Sequence, residues 1–310
     1  MRYWGVAVAA MLLFAGCGDG DSTTGPETQN PVLELRWGFE GRQAGEFDGP
    51  YGIDLGPGGE VYVVDVGNVR VQVFSDQGVF QRQWTLRTSP TEQPFADGLA
   101  VDGSGRCYVG TAFPAVVRVF SAEDAWVDDW TDFPPSLASI DVAVGPDSSV
   151  FVGSSDGLVR RLDPAGNPLF DWTAMLHVDG IDVDASGNVF AVGAVDVNPD
   201  SVQVVEEERL FKYDGQGNLL ASWGAHGTLV GQFQDLTDVA VRADGHVFVM
   251  DNLRGRIIQF DPNGIFVRES GAKGVAPEEF GAPWRLAAGP AGALYVTDRQ
   301  KDQVLKFRVP

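Results

Sequence analysis

The sequence predicts an all-β chain folded as a six-bladed β-propeller, with four antiparallel strands in each blade and the last blade closed by the N-terminal strand. Three observations predict it. A strand–turn–strand pattern recurs six times. A tryptophan recurs in the fourth strand of that pattern. The strand missing from the last repeat is found at the other end of the chain.

The repeats are legible strand by strand. The first strands are centred on Ile53-Asp54-Leu55, Leu99-Ala100-Val101, Val142-Ala143-Val144, Ile181-Asp182-Val183, Val239-Ala240-Val241 and Leu286-Ala287-Ala288. Their starts lie about forty to sixty residues apart, the period of a propeller blade. The second strands carry a central aromatic in Val61-Tyr62-Val63, Cys107-Tyr108-Val109, Val150-Phe151-Val152, Val189-Phe190-Ala191, Val247-Phe248-Val249 and Leu294-Tyr295-Val296. Glycine-rich turns such as Gly103-Ser104-Gly105 join first to second strands and supply the positive φ that tight hairpins need. The fourth strands hold Trp84, Trp130, Trp172 and Trp223, with Ser270 at the fifth equivalent position. The sixth repeat stops after its third strand, Gln303 to Phe307. Val32 to Gly38, with Trp37, reads as the fourth strand it lacks. Joining the two ends closes the ring and leaves only short, protected edges.

The N-terminus reads differently. Residues 6–15 are apolar or small, a length that suits a signal-peptide core and is too short to span a bilayer. The run ends Leu13-Phe14-Ala15-Gly16-Cys17. These residues resemble the lipobox of bacterial lipoproteins, although Phe14 stands where that family prefers Leu. The resemblance implies that Cys17 is acylated and becomes the first residue of the mature chain. An ordinary secretory signal that happens to contain Cys17 is the alternative. Residues 18–30 are Gly, Asp, Ser, Thr, Pro and Gln with no apolar run, as in a flexible tether. The expected organisation is therefore a signal peptide over 1–16, a tether over 17–30 and a propeller over 31–310. The expected location is the bacterial cell envelope. Because Gly18 rather than Asp follows Cys17, the outer membrane or periplasmic face is favoured in a Gram-negative host.

Composition bounds the partners. The formal charge is −21, and loss of Arg2 with the signal takes it to −22. Such a body repels nucleic-acid phosphates, so nucleic acid is not an expected partner. Cys107 is the only other cysteine. With Cys17 lipidated no intrachain disulfide forms, and stability must come from the core. A monomer is expected.

Three stretches resemble NHL repeats. One is Gly45-Glu46-Phe47-Asp48-Gly49-Pro50-Tyr51-Gly52, followed by Val61 to Asp65, Asn68 and Arg70. The second is Gly231-Gln232-Phe233 with Asp251-Asn252 and Arg256. The third is Glu279-Phe280-Gly281-Ala282-Pro283 with Tyr295 to Asp298. Blades one, five and six match; blades two, three and four keep only the strand pattern. The resemblance implies an NHL/TolB-like propeller. It implies little about function, since the fold hosts many.

In such a propeller the starts of the first strands ring the central channel. Those positions include Tyr51, Asp97, Asp141, Asp179, Asp238, Trp284 and Arg285. Asp54 and Asp182 lie one step further in, and His177 just precedes the fourth entrance. Converging carboxylates suit a hard cation such as Ca²⁺, or a cationic small ligand. The same residue type also accepts backbone N–H bonds at strand entrances. Asp65, Asn68 and Arg70, with Asp251, Asn252 and Arg256, recur within repeats and read as architecture. Blade four has a long acidic loop, from Asp196 to Glu206-Glu207-Glu208-Arg209, overhanging the same face. It is either a binding loop or an extended hairpin with a solvated tip.

Six-bladed propellers include lactonases, strictosidine-synthase-like proteins and zinc-dependent amidating lyases. The chain has only three histidines, His177, His226 and His246. The last falls on the opposite face, so a three-histidine zinc site is not expected. No Gly-x-Ser-x-Gly elbow occurs. Cys107 reads as a small core residue. The expected function is a lipid-anchored binding module for a protein or small ligand. The alternative is a divalent-metal-dependent hydrolase or lyase using the acidic mouth.

Overall fold

The computed structural model describes residues 30–134, 140–196, 206–276 and 278–310. The expected signal peptide, Cys17, nearly all of the tether and the loop 197–205 lie outside the described residues.

The fold is all-β: six four-stranded antiparallel sheets stand around a central channel. Strand β1 is Val32–Trp37. Blade one holds β2–β5 (Pro50–Leu55, Val61–Asp65, Arg70–Phe74, Phe80–Thr85). Blade two holds β6–β9 (Ala96–Val101, Cys107–Thr111, Val116–Phe120, Trp126–Trp130). Blade three holds β10–β13 (Ile140–Val144, Val150–Ser154, Leu158–Leu162, Pro168–Thr173). Blade four holds β14–β17 (His177–Val183, Val189–Asp196, Glu206–Tyr213, Leu219–Trp223). Blade five holds β18–β21 (Leu236–Val241, Val247–Asp251, Arg256–Phe260, Phe266–Ser270). Blade six holds β22–β24 (Pro283–Ala288, Ala293–Asp298, Gln303–Arg308) and is completed by β1. Trp37 lies opposite Val304. Trp84 takes the matching place against Val71, Trp130 against Val117, Trp172 against Val159, Trp223 against Leu210, and Ser270 against Ile257. The tryptophan ladder is thus a register, and β1 occupies its sixth rung.

The core sits between blades. β-branched and aromatic residues of the first three strands of each blade are buried, while the fourth strands are half in water. Each tryptophan works across a blade boundary. Trp223 of blade four stacks on Phe190 at 5.9 Å and lies against Gly264 in the last turn of blade five. A Cβ at Gly264 would fall 1.6 Å from the indole Nε1, so only glycine admits the ring there. Trp37, Trp130 and Trp172 lie on Gly78, Gly166 and Gly217 in the same way. Of these rings Trp130 is buried, and its loss to alanine would cost about 3–5 kcal/mol; the half-buried others contribute less.

Loops on the mouth face are anchored from within. Isolated parallel bridges join Glu40 to Phe47, His226 to Phe233 and Lys273 to Phe280. The three phenylalanines are essentially fully buried. They are the aromatic of the NHL-like signature in blades one, five and six. The carboxylate that ends each second strand holds the same loop. Asp65 accepts from the Asp48 N–H at 2.8 Å, Asp251 from Gln234 at 2.9 Å and Asp298 from Gly281 at 2.7 Å.

A cation completes each arrangement. Arg70 donates to the carbonyl of Glu46 and pairs with Asp65 at 2.8 Å. In blade five the partner is Arg254, which donates to the Gln232 carbonyl at 2.8 Å, and not Arg256. Arg256 stands opposite Asp251 in the ladder, but Arg254 lies in the turn and reaches the loop. Lys301 serves blade six, donating to Ala276 and Glu279 carbonyls.

Candidate functional site

The mouth is built by β-bulges. Register slips occur near the start of the first strand in blades one, two, four, five and six, re-aiming the residues there. The innermost position of the ring is Gly52, Gly98, Asp141, Gly180, Asp238 and Arg285 in blades one to six. Arg285 is 3 % exposed and fills the centre. Its guanidinium donates to Asp97 at 2.8 Å, Asp141 at 3.1 Å and Asp238 at 3.4 Å, and to the carbonyls of Asp179 at 2.6 Å and Thr237 at 3.1 Å. One side chain therefore ties blade six to blades two, three, four and five. The glycines make room for this plug. A Cβ at Gly98 would lie 2.4 Å from an Asp141 oxygen, and one at Gly180 would lie 2.7 Å from an Asp238 oxygen.

The acidic side chains have a second task. Asp141 accepts from the Ile181 N–H at 2.9 Å and Asp238 from Leu286 at 2.6 Å. Deeper in the channel, Asp54 accepts from Val101 at 2.7 Å and Asp182 from Val241 at 2.6 Å. Each stitches its own first strand to the first strand of the next blade. Asp54 and Asp182 belong to blades one and four, three blades apart around the ring. The matching positions elsewhere are Ala100, Ala143, Ala240 and Ala287.

Burial dominates the electrostatics of this hub. It pushes Asp54 and Asp182 up to about 7, against the pull of the N–H donors they accept. Asp141 and Asp238 are also raised by burial, which outweighs the attraction of Arg285. Burial alone would lower Arg285, but the three carboxylates around it drive its pKa up. A polar cavity of about 210 Å³ runs below it along the first strands. Among the described residues, no three His, Cys, Asp or Glu side chains are placed to hold a metal ion.

Asp179 and His177 do not join the ring with their side chains. The His177 Nδ1 lies 2.8 Å from the Asp179 carboxylate, and this bond raises the imidazole pKa. Glu208, on β16, stands near this pair; burial raises it to about 7, and the negative charge of Asp179 adds to the shift. One Glu208 oxygen is buried without a hydrogen-bond partner. Around these residues β15 and β16 run eight residues each, the longest strands of the fold, and Asp196 still pairs with Glu206. The acidic insertion thus begins as an extended hairpin.

Tyr51 and Trp284 lie on the blade-one and blade-six side of the mouth, with ring centroids 5.6 Å apart. Phe95 meets Tyr51 edge-on at 5.4 Å. Arg299 lies over both rings, 4.0 Å from the Tyr51 centroid and 4.4 Å from that of Trp284. Tyr51 is buried, whereas Trp284, Phe95 and Arg299 are half-exposed. They line a groove of about 600 Å³ that also takes in Asp48, Lys273 and Asp302. Reading the sequence identified Tyr51 and Trp284 but missed Arg299, Phe95 and Lys273. One signal was present. Arg299 follows the strand-ending Asp298, where blade one has Val66 and blade five has Asn252.

The architecture defines the class as a six-bladed β-propeller. A family model, NHL repeat, matches residues 47–74. No curated protein matches the sequence. Among solved structures, selenomethionine-substituted virginiamycin B lyase from Staphylococcus aureus is similar with a TM-score of 0.59 and 10 % identity, covering 83 % of this chain and 80 % of its own. A streptogramin B lyase structure is similar with a TM-score of 0.60 and 10 % identity, covering 91 % and 98 %. At that identity the likeness is one of fold.

Proposed function

We propose that this protein is a lipid-anchored, monomeric binding module of the bacterial cell envelope that engages a protein or small ligand with its mouth face, and that nucleic acid is not among its partners. The observation that carries this reading is the closed hub. Arg285 and backbone N–H groups take up the acidic ring, so the ring serves structure and leaves no vacant carboxylate cluster for Ca²⁺. The chemistry facing outward at the mouth is the rim of Trp284, Phe95 and Arg299, backed by the buried ring of Tyr51. Aromatic and arginine side chains on a rigid scaffold are the usual anchors of recognition. Cys17 and the tether after it would hold the disc close to a membrane.

Three experiments test this. Photo-crosslinking residues placed at Trp284 and at His246, in full-length protein expressed in an envelope-bearing host, should give adducts from Trp284 alone. Equal adducts from both faces would overturn the mouth-face reading. Replacing Cys17→Ser should move the protein from the membrane fraction to the soluble fraction. Calorimetry with Ca²⁺ should show no saturable binding by wild type or by the Asp141→Ala/Asp179→Ala/Asp238→Ala variant. Micromolar binding lost in that variant would restore the metal-site reading.

One observation favours a second reading. His177, Asp179 and Glu208 form a cluster with the makings of acid–base chemistry, a histidine oriented by a carboxylate beside a second carboxyl whose pKa is near neutrality. The likeness of fold to lyases fits a propeller hydrolase or lyase of this kind. Such an enzyme would lose turnover of a lactone or ester on His177→Ala. Absence of turnover by wild type rejects it.

A further inference from the structure

Arg70, Arg82, Arg118 and Arg160 each meet a carboxylate, in a chain that carries 43 Asp and Glu against 22 Lys and Arg. Arg299 is held in another way. Among the described residues the Arg299 guanidinium donates no hydrogen bond and forms no ion pair. The faces of Tyr51 and Trp284 hold it instead. Its backbone is also fixed, because Arg299 N–H donates to the Ala282 carbonyl at 3.0 Å while Asp298 binds the N–H groups of Gly281 and Ala282.

Stacking restrains the guanidinium plane and leaves the in-plane N–H groups unsatisfied. That is the geometry for a two-pronged grip on a carboxylate. A second donor stands in the same groove. Lys273 is exposed at the rim, and its ammonium donates only a long bond, 3.3 Å, to the Asn252 carbonyl. Of the carboxylates lining the groove, Asp302 is engaged by the fold, accepting the Gly49 N–H at 2.8 Å. The charges of Asp48 and Asp302 disfavour a polyanion. The half-exposed faces of Trp284 and Phe95 offer a stacking surface. A groove of about 600 Å³ suits a small molecule.

We infer that Arg299 is the anchor of a small-molecule site on the mouth face, taking a monocarboxylate with a flat apolar body. The carboxylate pairs with the guanidinium, and the body lies against Trp284 and Phe95. This inference rests on the binding-module reading and specifies one ligand class for it.

The test is calorimetric titration of the full chain with indole-3-acetate and phenylacetate, each beside its neutral amide. Both acids should bind, and their amides should bind at least about tenfold more weakly, since a charge-assisted pair is lost. Arg299→Gln should weaken the acids by about tenfold or more and leave the amides unchanged. Arg299→Lys should recover only part of that loss, because an ammonium keeps the charge without the fork. Arg308→Gln, distant from the groove, is the control and should bind as wild type does. Thermal melts of each variant separate a lost contact from a lost fold. The inference is overturned if no acid binds wild type below about 10 mM, a free energy under 3 kcal/mol. It is equally overturned if acid and amide bind alike, or if Arg299→Gln binds the acids unchanged. Should that happen while crosslinks still form at Trp284, the ligand class is wrong and the mouth-face reading survives.

Discussion

Two arginines on blade six, Arg285 at the hub and Arg299 at the rim, meet opposite surroundings. Arg285 is buried among three carboxylates and two carbonyls from four other blades. Arg299 is half-exposed and touches two aromatic faces. The same side chain is a structural bolt in one place and an unspent donor in the other. Location in the ring decides which. At the hub, burial makes any unpaired charge costly, so both terminal nitrogens of Arg285 and the carboxylates around them are recruited by the fold, while its Nε stays buried without a partner. At the rim, water tolerates an unpaired guanidinium, and its donors remain for a ligand.

Breaking the hub should have the largest effect. Arg285→Leu leaves Asp97, Asp141 and Asp238 buried together with no cation. A loss of about 3–5 kcal/mol is expected, the cost of removing one partner from a buried ion network. In a domain of this size that lowers the melting temperature by roughly 10 °C. A melt within a degree or two of wild type would mean that the carboxylates do not depend on Arg285.

A smaller effect should appear with pH. Asp54 and Asp182 are raised from 3.8 to about 7 by burial. A carboxyl raised on folding favours the folded state while it is protonated, so the contribution is full below about pH 4 and lost as pH rises through about 7. Both groups border the polar channel and are partly relieved by water, so the loss is on the order of 1 kcal/mol each. Melting temperature should therefore fall between pH 5 and pH 8, and the Asp54→Asn/Asp182→Asn variant should show a flatter slope. An equal slope in the variant would place the titration elsewhere.

The rim should give the smallest change in stability. Arg299→Gln removes a cation–π contact at a half-exposed site and is expected to cost about 0.5–1 kcal/mol, read as a shift of a few degrees at most. A loss as large as that of Arg285→Leu would make Arg299 a second bolt and remove the contrast.

The strand order, the blade count and the tryptophan register were legible because each repeats. Repetition turns a weak local pattern into a strong one, and the missing fourth strand of blade six was visible for the same reason. The acidic ring was legible as a set of residues but not as a network. Nothing in Asp141 or Asp238 taken singly announces that Arg285 will lie between them. The hint was that Arg285 is the lone base at the innermost position of the ring, where the other blades carry Gly or Asp. In blade five Arg256 matches Arg70 in the ladder, but Arg254 in the turn reaches the loop carbonyl, which spacing along the chain did not single out. The rim site escaped because its parts come from blades one, two, five and six and share no motif. Aromatic stacking between blades depends on how they are set around the ring, which spacing along the chain does not reveal.

The pairing of β1 with β24 carries a consequence for the order of folding. Val32 meets Arg308 and Trp37 meets Val304, so the final sheet joins residues about 270 positions apart. Loop closure over such a span costs only about 0.6 kcal/mol for each doubling of length, so distance itself is a small obstacle. Timing is the larger one. Blades one to five can each assemble from consecutive strands as they emerge from the ribosome. Blade six cannot, because its outer strand emerges first and must wait for the last residues to arrive. Until then β1 has no partner, the open arc exposes an apolar blade face at each end, and Arg285 has not yet reached the carboxylates that await it.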